Sequence, residues 1–410
     1  MQQDHPNPMP LSIVIIGAGI AGLTAALALR QEGHHCTLLE KSQFLQETGA
    51  AIHLGANVSG ILLELGYDAE LHGANTCARM IRRGTDGNIL VDIDLEKITK
   101  TWKEKWLLSH RVDLHDGLKV TALDAQGKGP VPELHLGCNI VKIDSNEGIV
   151  ELDDGRKFVA DVIVGADGNK SITRLEIKPD AQLVPYGKTC YRWLVDISTL
   201  RNDPETAYLF ENDGCYGELY GKDKRIVCYP CRKNTTLNFV AFVPDSEIEE
   251  HKELNNKVLV EHSFSEFFES ARKVLTYADE DMKSWKLWDM EQIPLWHKAK
   301  LVLIGDAAHP YLPFMGMGGS MAIEDAICIA AVLPLGTSAS DVPERLKLYQ
   351  DIRQERANFI QYASRVNGSD EKPKDFDFFT ALYAAHNFDE AENSKQKLQQ
   401  WLQSRAPRVG

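Results

Sequence analysis

After a polar arm the chain turns apolar without interruption from Ile13 to Ile16, the pattern of a strand covered on both faces. A glycine-rich turn follows, then helix-forming residues from Gly22 to Arg30 and a second short apolar run, Cys36 to Leu39. Together these predict a βαβ unit of about thirty residues. Farther on, residues 80–103 alternate in charge and read as strands and turns, and "KWLLSHRVDLHDGL" reads as the end of a strand running into a helix. "AQGKGPVP" is turn-rich. A hairpin is expected around Asp153-Asp154-Gly155, followed by a buried strand, Val162 to Val164. From about residue 180 to 245, β-branched and aromatic residues dominate, with turns near Asn212–Gly214 and Gly221–Lys224, and a second sheet is expected. Residues 251–283 have amphipathic helical character, "KLVLIGDAAHP" is another buried strand and its loop, and the chain beyond Ser320 is helical.

This order implies a nucleotide-type unit that is interrupted by an antiparallel sheet and resumes near residue 301. The division expected is a discontinuous first domain of residues 10–79, 104–180 and 285–345, a second of 80–103 and 181–284, and a C-terminal helical segment, 346–410.

Composition narrows the function. With 410 residues, 43% of them apolar, the chain can bury a large core, and a net charge of −14 argues against a nucleic-acid surface. No apolar run is long enough to span a membrane, and the N-terminus lacks the pattern of a secretory signal, so a cytoplasmic protein is expected. The eight cysteines lack the spacing of a disulfide framework. Cys228 and Cys231 have redox or zinc spacing but lie in a strand-like run with no second pair, so they read as packing, and no metal is expected.

The strongest chemical signal is "GAGIAG", which follows a strand and opens a helix. Gly17 permits the tight turn, Gly19 lets the backbone approach a pyrophosphate, and Gly22 allows close helix–strand packing. Glu40, ending the next strand with Lys41 beside it, is placed to accept ribose hydroxyls. Asp167 in "GADG" and Asp306 in "GDAAHP" each end a buried strand, where doubly wound folds put ligand contacts. Gly318 and Gly319 open a helix whose free N–H groups could face an electron-rich ring.

These three motifs, in this order and spacing, resemble the class A FAD-dependent monooxygenases of the salicylate hydroxylase-like group, close to fungal FAD-dependent monooxygenases of secondary metabolism. The likeness covers about residues 10–365. It implies an α/β fold: a Rossmann-like FAD-binding domain of the GR2-type flavoprotein hydroxylases with an inserted antiparallel-sheet substrate domain and a C-terminal helical segment. It also implies that NADPH or NADH reduces FAD, that O2 adds to form a flavin C4a-hydroperoxide, and that a phenolic or other electron-rich aromatic metabolite is hydroxylated. Epoxidation of an indole or alkene stays open as a variant, and a flavin-binding protein without oxygenase activity as another class. A halogenase is set aside, since "WKLWDMEQIP" has the wrong tryptophan spacing.

Carried over by position, Glu40 becomes the FAD ribose ligand, Arg111 a contact on the phosphate side, Asp306 a ligand of the ribityl or pyrophosphate region, and Gly318-Gly319 the wall at the pyrimidine ring. Ala51 stands where the family has glycine, a departure of one methyl that leaves its backbone as a flavin contact, and Met317 stands where glutamine is common, making that side of the pocket less polar. Arg192 matches an active-site arginine and would favour a phenolate, lowering a pKa of about 10. Tyr229 matches a pocket tyrosine able to hydrogen-bond the substrate oxygen. His53 and Trp193 are further pocket candidates, and His309 could flank the flavin. The resemblance leaves substrate identity and oligomeric state open.

Overall fold

The computed structural model describes residues 9–43, 50–280 and 282–405. The polar arm before Met9 and the beginning of the "ETGAAIHLGANV" stretch lie outside the described residues.

The apolar runs meet as expected in a six-stranded sheet. Ser12–Ile16 pairs in parallel with Val162–Gly165 on one side and His35–Leu39 on the other. Leu301–Leu303 and Glu133–His135 extend the parallel set outward, and His297–Lys298 closes one edge antiparallel. Strands from such distant parts of the chain can share a sheet because each is apolar on both faces: Ile13, Ile15, Val162 and Val164 pack into one core, Val14, Ile16, Ile163 and Leu301 into another. The helix Ile20–Gln31 crosses the sheet and packs against Gly318–Val332 and Arg111–Leu123.

The glycine turn fixes this crossing. A Cβ on Gly17, whose φ is +100°, would stand 2.4 Å from the carbonyl oxygen of Ala166, and one on Gly22 would stand 1.9 Å from that of Gly17. Both obstacles are backbone. A Cβ on Gly19 would meet nothing within 4 Å. Thus Gly17 and Gly22 hold strand and helix together, while Gly19 alone borders open space.

The second sheet has seven strands, in the order Lys283–Met290, Leu183–Asp196, Thr236–Pro244, Arg225–Cys231, Cys215–Tyr220, Arg79–Arg83 and Ile89–Asp94. It is antiparallel except where Cys215–Tyr220 runs parallel to Arg79–Arg83. Because Lys283–Met290 is its edge strand, residues 285–290 belong with this sheet, not with the first as their position near "KLVLIGDAAHP" suggests. One face packs against the helices Asn256–Ser263 and Glu269–Leu275, and the other looks toward the first sheet. Cys228 and Cys231 lie on opposite faces, both buried and free. A small three-stranded sheet, with Leu107–His110 between Ala51–Leu54 and Asn75–Thr76, lies beside them.

The C-terminal segment is not a separate appendage. Its long helix begins at Val342, before residue 346, and runs to Gly368, and with Glu390–Arg405 it packs against Gly318–Val332. Among the described residues no helix is long and apolar enough to cross a membrane.

Gly22→Ala is expected to lower unfolding stability by about 1–3 kcal/mol, since backbone must move, whereas Gly19→Ala should stay within about 0.5 kcal/mol of the parent apoprotein. Denaturant titration of the three apoproteins checks this contrast. Equal losses in both variants would show that the turn is not fixed as described.

Candidate active site

A cavity runs between the loops at the carboxyl ends of the first sheet and the inward face of the second. Its lower wall holds Gly19, Ala166, Gly168, Asp306, Gly318 and Gly319, and its roof is built from alternate residues of the second sheet.

On the lower side two helices point N-termini at the cavity, Ile20–Gln31 after Gly19 and Gly318–Val332 after Met317, and neither has a side-chain cap. Their first N–H groups are therefore available to an electron-rich or anionic ligand. Glu40 reaches the glycine turn, accepting from the amides of Ala18 and Ser42 at 2.8 Å each. Lys41 beside it is exposed. Arg111 begins its helix at the cavity wall. Asp306 is exposed, but to the cavity, and the protein around it acts on it as burial does. Burial pushes its carboxyl up against the opposing fields of His309, Arg111 and Arg174. An open cradle at Gly19, two uncapped helix ends and a carboxylate between them fit the pyrophosphate and ribityl chain of FAD.

Some expected contacts fall elsewhere. Asp167 turns into its own loop and holds the first amides of the helix Ile172–Ile177, whose N-cap is Ser171, accepting from Ile172 and Thr173 at 2.8 and 3.0 Å and from the Thr173 hydroxyl at 2.6 Å. Gly168, not Asp167, lines the cavity. Ala51 lines it too, yet its amide donates to Asn238 Oδ1 at 3.2 Å and its carbonyl accepts from Tyr229. His309 is buried against Asp325, with 2.6 Å between Nε2 and Oδ2, so it braces the loop instead of flanking the cavity.

In the roof the strand period of two decides which expectations survive. Along Leu183–Asp196, Arg192 faces the cavity beside Val240, while Trp193 points the other way and stacks on Phe239 at 5.0 Å between ring centroids. Trp193 is therefore a core residue and not a pocket residue. Met317 is also buried in the core, at 2% exposure; Met315, two residues earlier, lines the cavity in its place. Arg192 lies 5.6 Å from the Trp285 ring centroid and its buried Nε makes no hydrogen bond. Tyr229 lines the cavity but donates its proton to Ala51 at 3.0 Å.

His53 stands in an aromatic box, its ring 4.4 Å from Tyr229, 5.4 Å from Tyr216 and 5.5 Å from Trp106. Burial pulls its pKa down to about 4 despite the field of Glu218. Beyond it lie Glu218 and Arg225, cavity residues that the sequence reading did not single out. Position along the strands could have found them: Arg225, Val227 and Tyr229 share one face, as do Tyr216 and Glu218. Burial pushes the Glu218 carboxyl up, but the fields of Arg82 and Arg225 and the bonds from Tyr216 and Arg82 outweigh it and hold it below the ordinary value.

A nucleotide cradle opening into a partly aromatic chamber is the arrangement of a flavoprotein monooxygenase. The chain belongs to the FAD-binding domain family, whose model matches residues 11–363. It is 32% identical over 383 residues to hispidin-3-hydroxylase of Neonothopanus nambi, covering 87% of this chain and 90% of that one. It is 33% identical over 377 residues to the FAD-dependent monooxygenase cfoG of Aspergillus candidus, covering 87% and 85%. The fold is similar to the crystal structure of CtdE in complex with FAD and substrate 4, with a TM-score of 0.79 at 19% identity over 96% of this chain and 99% of that one. The protein is an FAD-dependent monooxygenase, which sets aside the reading as a non-enzymatic flavin binder.

Buried histidines give the fold an acid limit. Burial also pulls the pKa of His386, which hydrogen-bonds the amide of Ala56, down to about 3. Because both folded pKa values lie below the unfolded value of about 6.5, the unfolded chain binds more protons below that pH. The stability these rings contribute is complete above pH 6.5 and is lost as pH falls toward their folded pKa values. His53→Gln is expected to reduce the slope of stability between pH 6.5 and about 4 by roughly 1.4 kcal/mol per pH unit. Denaturant titrations across that range measure it, and an unchanged slope would refute it.

Proposed function

We propose that this monooxygenase hydroxylates a phenolic or other electron-rich aromatic small molecule, using NAD(P)H and O2. The observation that carries the reading is the position of Arg192 in a roof otherwise made largely of apolar and aromatic side chains. When bound, FAD supplies the electron storage and oxygen activation that no side chain here provides.

The residues of the chain divide the remaining work. Gly19, the two helix N-termini and Asp306 would hold the cofactor's phosphates and ribityl chain, with Glu40 at the ribose and Gly318-Gly319 at the flavin ring. In the chamber, Val240, Phe242, Phe314 and Leu382 exclude water, which strengthens every charge interaction within it. The Arg192 guanidinium favours the ionised form of a phenol placed beside it, and an ionised oxygen pushes electron density into the ring carbons. Tyr229 has its proton engaged by Ala51, so its oxygen is left to accept a hydrogen bond from a substrate hydroxyl. His53, held neutral near neutral pH, adds an uncharged wall.

Arg192→Gln and Arg192→Ala are expected to keep FAD bound while lowering product formation at least 10-fold. The assay is NADPH and NADH oxidation over a panel of phenols, salicylates and indoles, with products identified by mass. Unchanged turnover in both variants would remove the role given to Arg192. An absence of stimulated oxidation and oxygenated product across the panel would count against the aromatic reading.

A further inference from the structure

Arg225 is 3% exposed, lines the cavity, and among the described residues has no carboxylate within ion-pair distance. Glu218 acts on it through its field but does not pair with it directly, and a buried charge with no directly bonded counter-ion asks for a partner. Its guanidinium lies between two rings, 4.7 Å from the centroid of Tyr220 and 5.0 Å from that of Phe314. Its hydrogen bonds come from one nitrogen, Nη2, which donates to the Tyr220 hydroxyl at 3.2 Å and the Asn367 carbonyl at 2.8 Å. Among the described residues Nε and Nη1 make none.

The neighbouring acid is already engaged. Glu218 accepts from the Tyr216 hydroxyl at 2.8 Å on one oxygen and pairs with Arg82 at 2.5 Å on the other. Lys188 and Lys372 stand behind Arg225, directed at Gly368 and Asn367. Burial first, and then the field of Arg225, pull both ammonium groups below their ordinary range. The bond to Asn367 helps finish the helix Val342–Gly368, but that role uses one nitrogen of a five-donor group.

We infer that Arg225 is an anion anchor for the substrate, binding a carboxylate or an ionised acidic hydroxyl at a position distinct from the oxygen served by Arg192. Arg192 and Arg225 lie on strands either side of Thr236–Pro244, in register with Val240 and Phe242. Their backbones are therefore roughly 12 Å apart on one sheet face, so one molecule can meet both side chains. This rests on reading the roofed half of the cavity as the substrate chamber. It adds that the substrate is acidic as well as aromatic.

The test is a binding titration of the FAD-loaded protein, followed by flavin absorbance, with two matched pairs: 3-hydroxybenzoate against 3-hydroxybenzamide, and 4-nitrophenol against 4-nitroanisole at pH 8. The acidic member of at least one pair is expected to bind at least 10-fold more tightly, and which pair responds separates a carboxylate from an acidic hydroxyl. Arg225→Gln should abolish that preference and Arg225→Lys should retain part of it, with FAD content and melting temperature reported for each. Equal affinities within both pairs, no binding by either acid, or a preference that survives in Arg225→Gln would overturn the inference and leave Arg225 as a helix cap. Binding is read without turnover, so failure of the aromatic hydroxylase reading would show separately, as a preserved acid preference with no oxygenated product.

Discussion

Asp325 is the buried carboxylate around which the cofactor side of the protein is organised. It accepts from the Gly305 amide at 2.8 Å, stands 2.6 Å from His309 Nε2 and pairs with Arg353 at 2.8 Å. Arg353 in turn pairs with Glu324 and with Glu390 in the last helix, while Arg356 clamps Glu324 from the side. These charges are buried, and removing one partner from such a cluster typically costs about 3–5 kcal/mol because the others stay unpaired. The cluster ties the turn that presents Asp306 to the helix that presents Gly318-Gly319, and ties both to the C-terminal helices. Arg174 supports the same turn from the other side, donating to the carbonyls of Asp306 and Ala307. The cofactor wall is thus held by charge and hydrogen bonding, with the polar groups turned inward from it.

The substrate side follows a different constraint. A twisted sheet places successive side chains on opposite faces, so one strand can serve a core and a chamber at once. Tyr191, Trp193 and Phe239 fill the core under the outer helices, while Arg192, Val240 and Phe242 face the cavity. Polar groups in the roof are correspondingly few and individually placed. Their chemistry depends on dryness, since burial keeps His53 neutral and makes each guanidinium effective at short range.

The cofactor half was legible because its demands are local. A turn with φ of +100° and a Cβ 1.9 Å from backbone require glycine, and glycine at fixed spacing is visible in any sequence. The main parallel strands, though not their order, followed from apolar runs of the right length, and the interruption by a second sheet followed from its β-branched, aromatic stretch. Legibility failed where side-chain direction was needed. Asp167 ends a buried strand just as Asp306 does, but only the structure reveals that two downstream amides claim its carboxylate. Trp193 and Met317 are next to cavity residues in the chain, and a one-residue step turns each into the core. Arg225 and Glu218 were missed because a charged residue in a strand ordinarily reads as surface. Met315, Gly316 and the helix after them now have distinct parts: the first lines the chamber, the second packs against His53, and the third opens on the cavity with no side-chain cap.

The crystal structure of the FAD-loaded protein would be the most direct measurement. We expect the ribose beside Glu40, the pyrophosphate over Gly19, the ribityl chain past Asp306 and the flavin ring at Gly318-Gly319, with Arg192 and Tyr229 facing the ring across the chamber. FAD bound elsewhere, or a flavin ring separated from the Arg192 chamber by protein, would contradict the assignment of the cavity's two halves.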